Sequence, residues 1–353
     1  MPALTAPNQI GVREDISDLT YLADVKETPF TSMAKKGRKP TNPSLWEYGV
    51  KRRGNRKHGG VPDGKDVNAF DSQNPKDFLQ TRSEVWRRAP MVGFLAQITA
   101  KNGGVAGVTD QFDEAVADQL EEIKRDMETE FLSNQDSRPD DGVNGLWTRG
   151  LGRWLHNGDT LTLGAAATAV GQATTGFAEL PVPALYKIPT NQIFTGSIGD
   201  GITTGLTEDV FGALINAKWT NTGASSELRG FVTSILKNRI GMWSKYEANK
   251  AGATPNVHVS TGRVDGTTLL GPMIDIYKSD WGTFTLHPVS NDFMPTAYTG
   301  YFLDMKQIQL RVTENVVQME LPNLGGGPRE MIQSIIGLEA GDPRAHAKIN
   351  GSA

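Results

Sequence analysis

TDQFDEAVADQLEEIKRDMETEFLS, Thr109 to Ser133, is the longest run in which apolar residues keep helical time. Phe112, Val116, Leu120, Ile123, Met127 and Phe131 recur at steps of three or four and share one stripe, which Ala115 and Leu132 widen. Asp113, Glu114, Asp118, Glu121, Glu122, Lys124, Arg125, Asp126, Glu128 and Glu130 cover the rest, so one side is built for burial. Thr109 or Asp110 is placed to cap the first amides, and Asp113 and Glu114 sit near the positive end of the helix dipole. At about 1.5 Å per residue the helix is roughly 36 Å long, the span of a whole domain. Two readings fit: a spine with sheet laid on its apolar stripe, or a long core helix in a soluble enzyme. The pattern alone favours neither.

Composition bounds the rest. A chain of 353 residues holds two domains or one elaborated one, with a core large enough to need no staples. It has no cysteine, which excludes disulfides, thiolate metal sites and cysteine catalysis. No run approaches the length of an apolar membrane span, and MPALTAPNQIGVRED lacks the basic-then-apolar layout of a signal peptide, so the expectation is a soluble protein made in cytoplasm. The 39 glycines, above the usual share, imply many turns. With 36 basic and 40 acidic residues the formal charge is -4, which argues against gripping nucleic-acid phosphates as the main task.

In chain order, residues 1–34 mix a polar arm with a short helical signal at Ile16, Leu19, Leu22 and Val25, stopped by Pro29. KKGRKPTNP, Lys35 to Pro43, is a solvated linker. Leu45 to Val50 reads as a strand with Trp46, Tyr48 and Val50 on one face, and Phe78 to Arg88 as a second strand returning antiparallel. Together they make a hairpin arm with a long tip. Pro90 to Ala100 reads as an apolar strand or turn. Beyond the long helix, Asn134 to Gly145 is loop. Thr207 to Trp219 is an amphipathic helix capped by Thr207, with Val210, Phe211, Leu214, Ile215 and Trp219 on its buried side. Ser226 to Val232 leads into a strand, and Lys237 to Trp243 is a short element. Val257 to Ser260, Met273 to Tyr277 and Thr283 to His287 read as strands, the last two joined by a turn at SDWG. Tyr298 to Val312 and Val316 to Leu321 read as strands separated by TEN, and Met331 to Glu339 as another. The layout is a mixed α/β region inserted between the long helix and the closing strands.

The hairpin tip, residues 51–77, is the most polar part of the chain, with Lys51, Arg52, Arg53, Arg56 and Lys57 clustered beside His58. Such a cluster is ordinarily a solvated loop; its functional reading is an acidic partner, protein or nucleic acid. Gly59, Gly64 and Lys65 match part of a phosphate-binding loop, but Asp66 stands where Ser or Thr holds magnesium, and no strand-then-helix frames it. A turn-rich tip is the better reading. His58, His156, His258, His287 and His346 are scattered, and no metal, nucleophile-elbow or complete dinucleotide motif occurs. Each histidine reads as a surface or satisfied core residue, and Asp140 and Asp141 as turn residues. A structural or interaction protein is therefore favoured over an enzyme, with no catalytic, cofactor-binding or metal residues assigned.

An ordered series of short motifs carries a resemblance: ISDLTYLADVKETPFTSM (Ile16 to Met33), LWEY (Leu45 to Tyr48), the charged long helix, GLWTRGLGRWL (Gly145 to Leu155), LTEDVFGALINAKWTNTGASS (Leu206 to Ser226), YKSDWGTFTLHP (Tyr277 to Pro288) and DPRAHAKING (Asp342 to Gly351). In that order they resemble the tailed-bacteriophage major capsid, or major head, proteins, more narrowly those without an attached scaffolding domain. One departure is MELPNLGGGPRE, where relatives carry an apolar-acidic-leucine pattern. The resemblance implies an α+β, Hong Kong 97-like phage capsid fold. Its parts would be an N-terminal arm (1–44), an extended β-hairpin loop (45–88), a peripheral domain with the spine helix (89–144 and 296–353) and an inserted axial domain (145–295). It implies self-assembly into hexamers and pentamers of an icosahedral virion shell around double-stranded DNA, assembled in the host cytoplasm. Scaffolding, portal and decoration proteins would be partners, the DNA contact non-specific, with no membrane and no cofactor. Trp46, Tyr48, Lys51, Arg52, Arg53, Arg56 and Lys57 become the implied contact between subunits, and Phe112, Val116, Leu120, Ile123, Met127 and Phe131 the core face of the spine. Two rivals stand beside it: an encapsulin-type compartment shell, and a soluble α/β enzyme.

Overall fold

The computed structural model describes residues 26–54, 59–67, 70–71, 74–102, 110–158, 177, 180–199, 204–223, 228–246, 263–264, 267–268 and 276–352. The early helical signal at Ile16 to Val25, the glycine turn at 103–109 and the strand expected at Val257 to Ser260 lie outside them. The chain divides into two compact units: residues 1–26, 87–123 and 316–333, and residues 27–86, 124–315 and 334–353.

The long helix is present as α3, Gln111–Leu132; the short helices α1, Pro29–Met33, and α2, Phe94–Lys101, precede it. Asp110 supplies the cap of α3: its Oδ1 accepts from the amides of Phe112 at 3.1 Å and Asp113 at 3.4 Å. Gln97 on α2 hydrogen-bonds both Asp110 and the Phe112 amide, which ties the two helices in the first unit. α2 corrects the expectation of a strand or turn at Pro90 to Ala100. Only Met91 keeps a strand-like bridge, to Arg329; Gly93 then opens a helix in which Leu95, Ala96, Gln97, Ala100 and Lys101 are good helix formers, in a run too short for periodicity to decide.

Four strands, β1 (Lys35–Lys36), β2 (Trp46–Val50), β3 (Asp77–Thr81) and β4 (Glu84–Arg88), precede α2. β2 and β3 pair antiparallel from Trp46 with Thr81 to Val50 with Asp77. The second arm of the expected hairpin is thus not one strand through Arg88. Arg82 and Ser83 break it: the Ser83 amide donates to Pro43 O at 2.9 Å and its Oγ accepts from Trp46 Nε1 at 3.1 Å. β4 then joins a different sheet.

β5 (Ile193–Phe194), β6 (Leu228–Val232), β7 (Arg263–Val264), β8 (Thr267–Thr268), β9 (Ile276–Ser279), β10 (Gly282–Pro288), β11 (Thr299–Leu303), β12 (Gln309–Glu320), β13 (Glu330–Glu339) and β14 (Ala347–Asn350) follow in sequence. They form a six-stranded sheet in the order β5-β14-β11-β6-β10-β9 and, with β1 and β4, a four-stranded one in the order β1-β12-β13-β4; β7 and β8 pair with each other. β12 runs unbroken through Thr313, Glu314 and Asn315, which corrects the turn expected at TEN; with no glycine or proline there, three polar residues sit comfortably on a half-exposed strand. β11 and β14 lie in one sheet with β5, β6, β9 and β10, so Pro295 does not divide one sheet from another.

A short helix α4, Leu151–Trp154, follows α3, and between β5 and β9 lie the helices α5, Glu208–Thr222, and α6, Ser234–Tyr246. Thr207 caps α5 as the sequence predicts, and Gly223, at φ 65°, closes it in the left-handed conformation that favours glycine. Phe211, Leu214 and Ile215 are buried, whereas Val210 is exposed and Trp219 half-buried. Phe211 is the hub of this core, with ring centroids 4.9 Å from Phe302, 5.3 Å from Trp243 and 5.5 Å from Tyr277. A fully buried aromatic of this kind contributes about 1.5–3 kcal/mol over its exposed form.

Candidate inter-subunit surfaces

α3 carries its apolar stripe unevenly. Ile123, Met127 and Phe131 are buried, as is Leu132, while Phe112, Val116 and Leu120 are only half-buried. Phe131 packs edge-on to Trp86 at 5.4 Å and to Phe30 at 6.3 Å. On the polar side Asp113, Glu114, Asp118 and Glu121 are exposed. Glu128, expected among the solvated residues, is fully buried instead. Its carboxylate accepts from the amides of Phe30 at 2.8 Å and Thr31 at 2.7 Å and from the Thr31 hydroxyl at 2.6 Å, so it satisfies the open amides of α1. Burial raises its pKa, and these hydrogen bonds oppose the rise.

The hairpin root is also interior. Trp46 and Tyr48 are 7% and 8% exposed, with Tyr48 5.9 Å from the ring of Trp154 and the Arg311 guanidinium 5.8 Å from the ring of Trp46. These two residues therefore pack on their own chain rather than presenting a face to a neighbour: the alternation read from LWEYGV is right, and the side it buries is internal. A depression of about 560 Å³ beside them is lined by Arg38, Trp46, Tyr48, Arg311 and Glu339, the last two ion-paired.

Past Val50 the loop leaves the body. Lys51, Arg52, Arg53 and Gly54 are exposed, as are residues 59–67 and 74–76; Arg56, Lys57 and His58 lie outside the described residues. Gly59 and Gly64 take positive φ, 104° and 77°, and the Lys65 amide closes a turn on Pro62 O. The next described element after Lys65 is the strand β3, not a helix, so the helix that a phosphate loop requires does not follow it. Val61, Val67 and Phe70 are 77%, 73% and 91% exposed, an apolar element in the tip that the charge pattern hid. A second apolar surface lies in the other unit: Met91, Phe94 and Leu95 are 60%, 66% and 78% exposed and Leu324 84%. Reading Pro90 to Ala100 as a strand or turn conceals it.

The remaining motifs resolve into internal locks. Gly150 and Gly152 of GLWTRGLGRWL touch the end of α3, where a Cβ on Gly152 would collide with Asn134 Oδ1. In DPRAHAKING the Asp342 side chain accepts from the Arg344 amide at 3.1 Å, and Gln192 Nε2 reaches the carbonyls of Arg344 and His346, both at 2.8 Å. His346 is buried, its Nδ1 accepting from the Asp304 amide at 3.1 Å and its Nε2 donating to Ala340 O at 2.9 Å; burial lowers its pKa. Asp140 and Asp141 cap a turn, accepting from the amides of Gly142, Val143 and Asn144. Among the described residues no three His, Cys, Asp or Glu side chains gather as a metal site, and no helix is long and apolar enough to cross a membrane.

Solved structures share this fold. A cyanophage A-1(L) capsid asymmetric unit matches at TM-score 0.59 and 15% identity, over 98% of this chain and 97% of its own. The capsid of a native GTA particle matches at 0.56 and 10%, over 99% and 98%. The capsid of cyanophage P-SCSP1u matches at 0.54 and 7%, over 96% and 93%. At such identities the likeness is one of fold, a mixed helix-and-sheet, Hong Kong 97-like capsid fold. No curated protein matches the sequence. The sequence model described as SU10 major capsid protein, however, matches residues 4–353. A chain matched over nearly its whole length, with the fold of phage shells, belongs to the SU10 major capsid protein family.

Proposed function

We propose that this major capsid protein assembles into hexamers and pentamers of an icosahedral shell that encloses the double-stranded DNA of a tailed phage, and that its exposed loop clasps a neighbouring copy. The match across residues 4–353 carries the reading. α3 serves as the spine of a peripheral domain, residues 145–295 as the greater part of an axial domain whose sheet β11 and β14 complete and whose copies meet head-to-tail around the ring axes, and residues 1–44 as an arm. Scaffolding, portal and decoration proteins are its further partners, in the host cytoplasm and then in the virion.

Two exposed surfaces of opposite sign support the loop contact. Lys51, Arg52 and Arg53 stand at the loop, with Arg56 and Lys57 beyond them in sequence, and Asp113, Glu114, Asp118 and Glu121 line α3. Such charges set register and suppress wrong partners between copies. A two-stranded arm is barely stable alone in water and gains order when laid on another molecule. The test is charge reversal of Arg52, Arg53, Arg56 and Lys57 to Glu. Folded subunits that form no shells are expected; normal particles from the variant remove the loop contact from the reading.

The slightly acidic formal charge of -4 suits a container whose contents must leave. Contact with packaged DNA is non-specific, and free subunits bind duplex weakly at physiological salt. Nanomolar duplex binding by free subunits under those conditions would contradict this.

A further inference from the structure

Between the end of α3 and α4 (Leu151–Trp154) the chain gathers positive charge inside the protein. Arg149 Nε donates to Asp136 Oδ1 at 2.8 Å and Arg153 Nε lies 3.3 Å from Asp136 Oδ2, with all three side chains at most 1% exposed. Lys348, on β14 and 1% exposed, donates to Gly152 O at 2.8 Å. The ring of Phe177 lies 4.9 Å from the Arg149 guanidinium carbon and 5.8 Å from that of Arg153.

Neither the charge nor the hydrogen bonding closes. Among the described residues, the two buried guanidiniums of Arg149 and Arg153 share one carboxylate, Asp136, which leaves one guanidinium charge in excess beside the Lys348 amine. Arg153 Nη1 and Nη2, Arg149 Nη1 and Trp154 Nε1 are buried donors with no acceptor among the described residues. Burying a cation without an anion is costly, and buried donors are almost always paired. The field of the cluster is felt within it: burial and then Arg153 draw Lys348 down to about 7.

We propose that this cluster binds one small inorganic oxyanion of the phosphate or sulfate class. An oxyanion of this class brings the missing negative charge and several acceptor oxygens for the guanidinium donors that Arg153 and Arg149 leave open. It would pin the turn after α3 to the closing strand β14 through Lys348, and so belongs to the folded subunit rather than to any contact between copies.

Equilibrium dialysis of the full-length protein at neutral pH and constant ionic strength, with radiolabelled inorganic phosphate in a chloride background, tests it. Saturable binding of about one phosphate per chain, displaced by sulfate and not by chloride, is expected, together with a phosphate-dependent rise in melting temperature. Anion retained through buffer exchange at that stoichiometry and released on unfolding counts as the same result. Arg153→Gln should weaken binding about tenfold or more, while Arg87→Gln, on the exposed side of β4, should not. Should Arg153→Gln fail to fold, the wild-type isotherm decides alone. Absence of saturable binding and of retained anion in the wild-type protein overturns the site, as does undiminished binding by folded Arg153→Gln.

Discussion

Glu84 and Lys348 are buried ionisable groups, and both make the fold sensitive to pH. Glu84 accepts from Gln135 Nε2 at 3.0 Å and from the Thr148 amide at 3.2 Å, yet burial and then Glu130 raise it from 4.5 to about 8. Glu130 itself is raised to about 7, by burial and then Asp126. The folded chain therefore holds these protons more tightly than the unfolded one, so the contribution of this pair is full below about 4.5 and is lost as pH rises through about 8. Lys348 acts in the opposite sense: its charged form is disfavoured in the fold, so its contribution recovers as pH rises from about 7 toward 10.5. Urea unfolding of soluble subunits across this range should show the decline between pH 5 and 8, and Glu84→Gln should flatten it. An unchanged slope in that variant would show that Glu84 ionises freely. Glu128→Gln should cost about 1–3 kcal/mol in the same measurement, because one carboxylate oxygen facing the α1 amides becomes a donor. Wild-type stability in that variant would remove the capping role. Glu128 was not legible in the sequence, where it looks like any other acid on the polar side of a helix. Its burial depends on a segment nearly a hundred residues away, which no local period records.

Elements were legible where a period ran long. α3 and α5 appear with the expected caps, because each has enough turns for the apolar stripe to be unambiguous. β2 showed its alternation but not what its buried face would meet. The misread stretches are short or lack a breaker: α2 is eight residues, and Thr313 to Asn315 is polar yet extended. The outer face of α2 is the consequence that matters, since Phe94 and Leu95 stand exposed where a lone subunit has no reason to keep them. Leu95→Glu should leave subunits soluble and folded while lowering shell yield, read as particle mass by sedimentation; undiminished yield would exclude this face from the shell's contacts. Reversal of the four loop cations tests the other surface at the same scale, with loss of shells and unchanged circular dichroism as the expected pair of results.

At the scale of the molecule, the order of motifs carried more than any one of them. GLWTRGLGRWL and DPRAHAKING are internal locks whose glycines and buried polar groups fix how distant segments meet. What a single chain cannot display is its partner, and its exposed loop, acidic helix face and apolar α2 face all await one. Cryo-electron microscopy of the full-length chain, expressed alone and with its neighbouring gene products, measures this directly. Closed icosahedral shells of hexamers and pentamers, each loop lying on an adjacent copy, are the expected result; solitary subunits with the loop packed on its own chain would contradict the account.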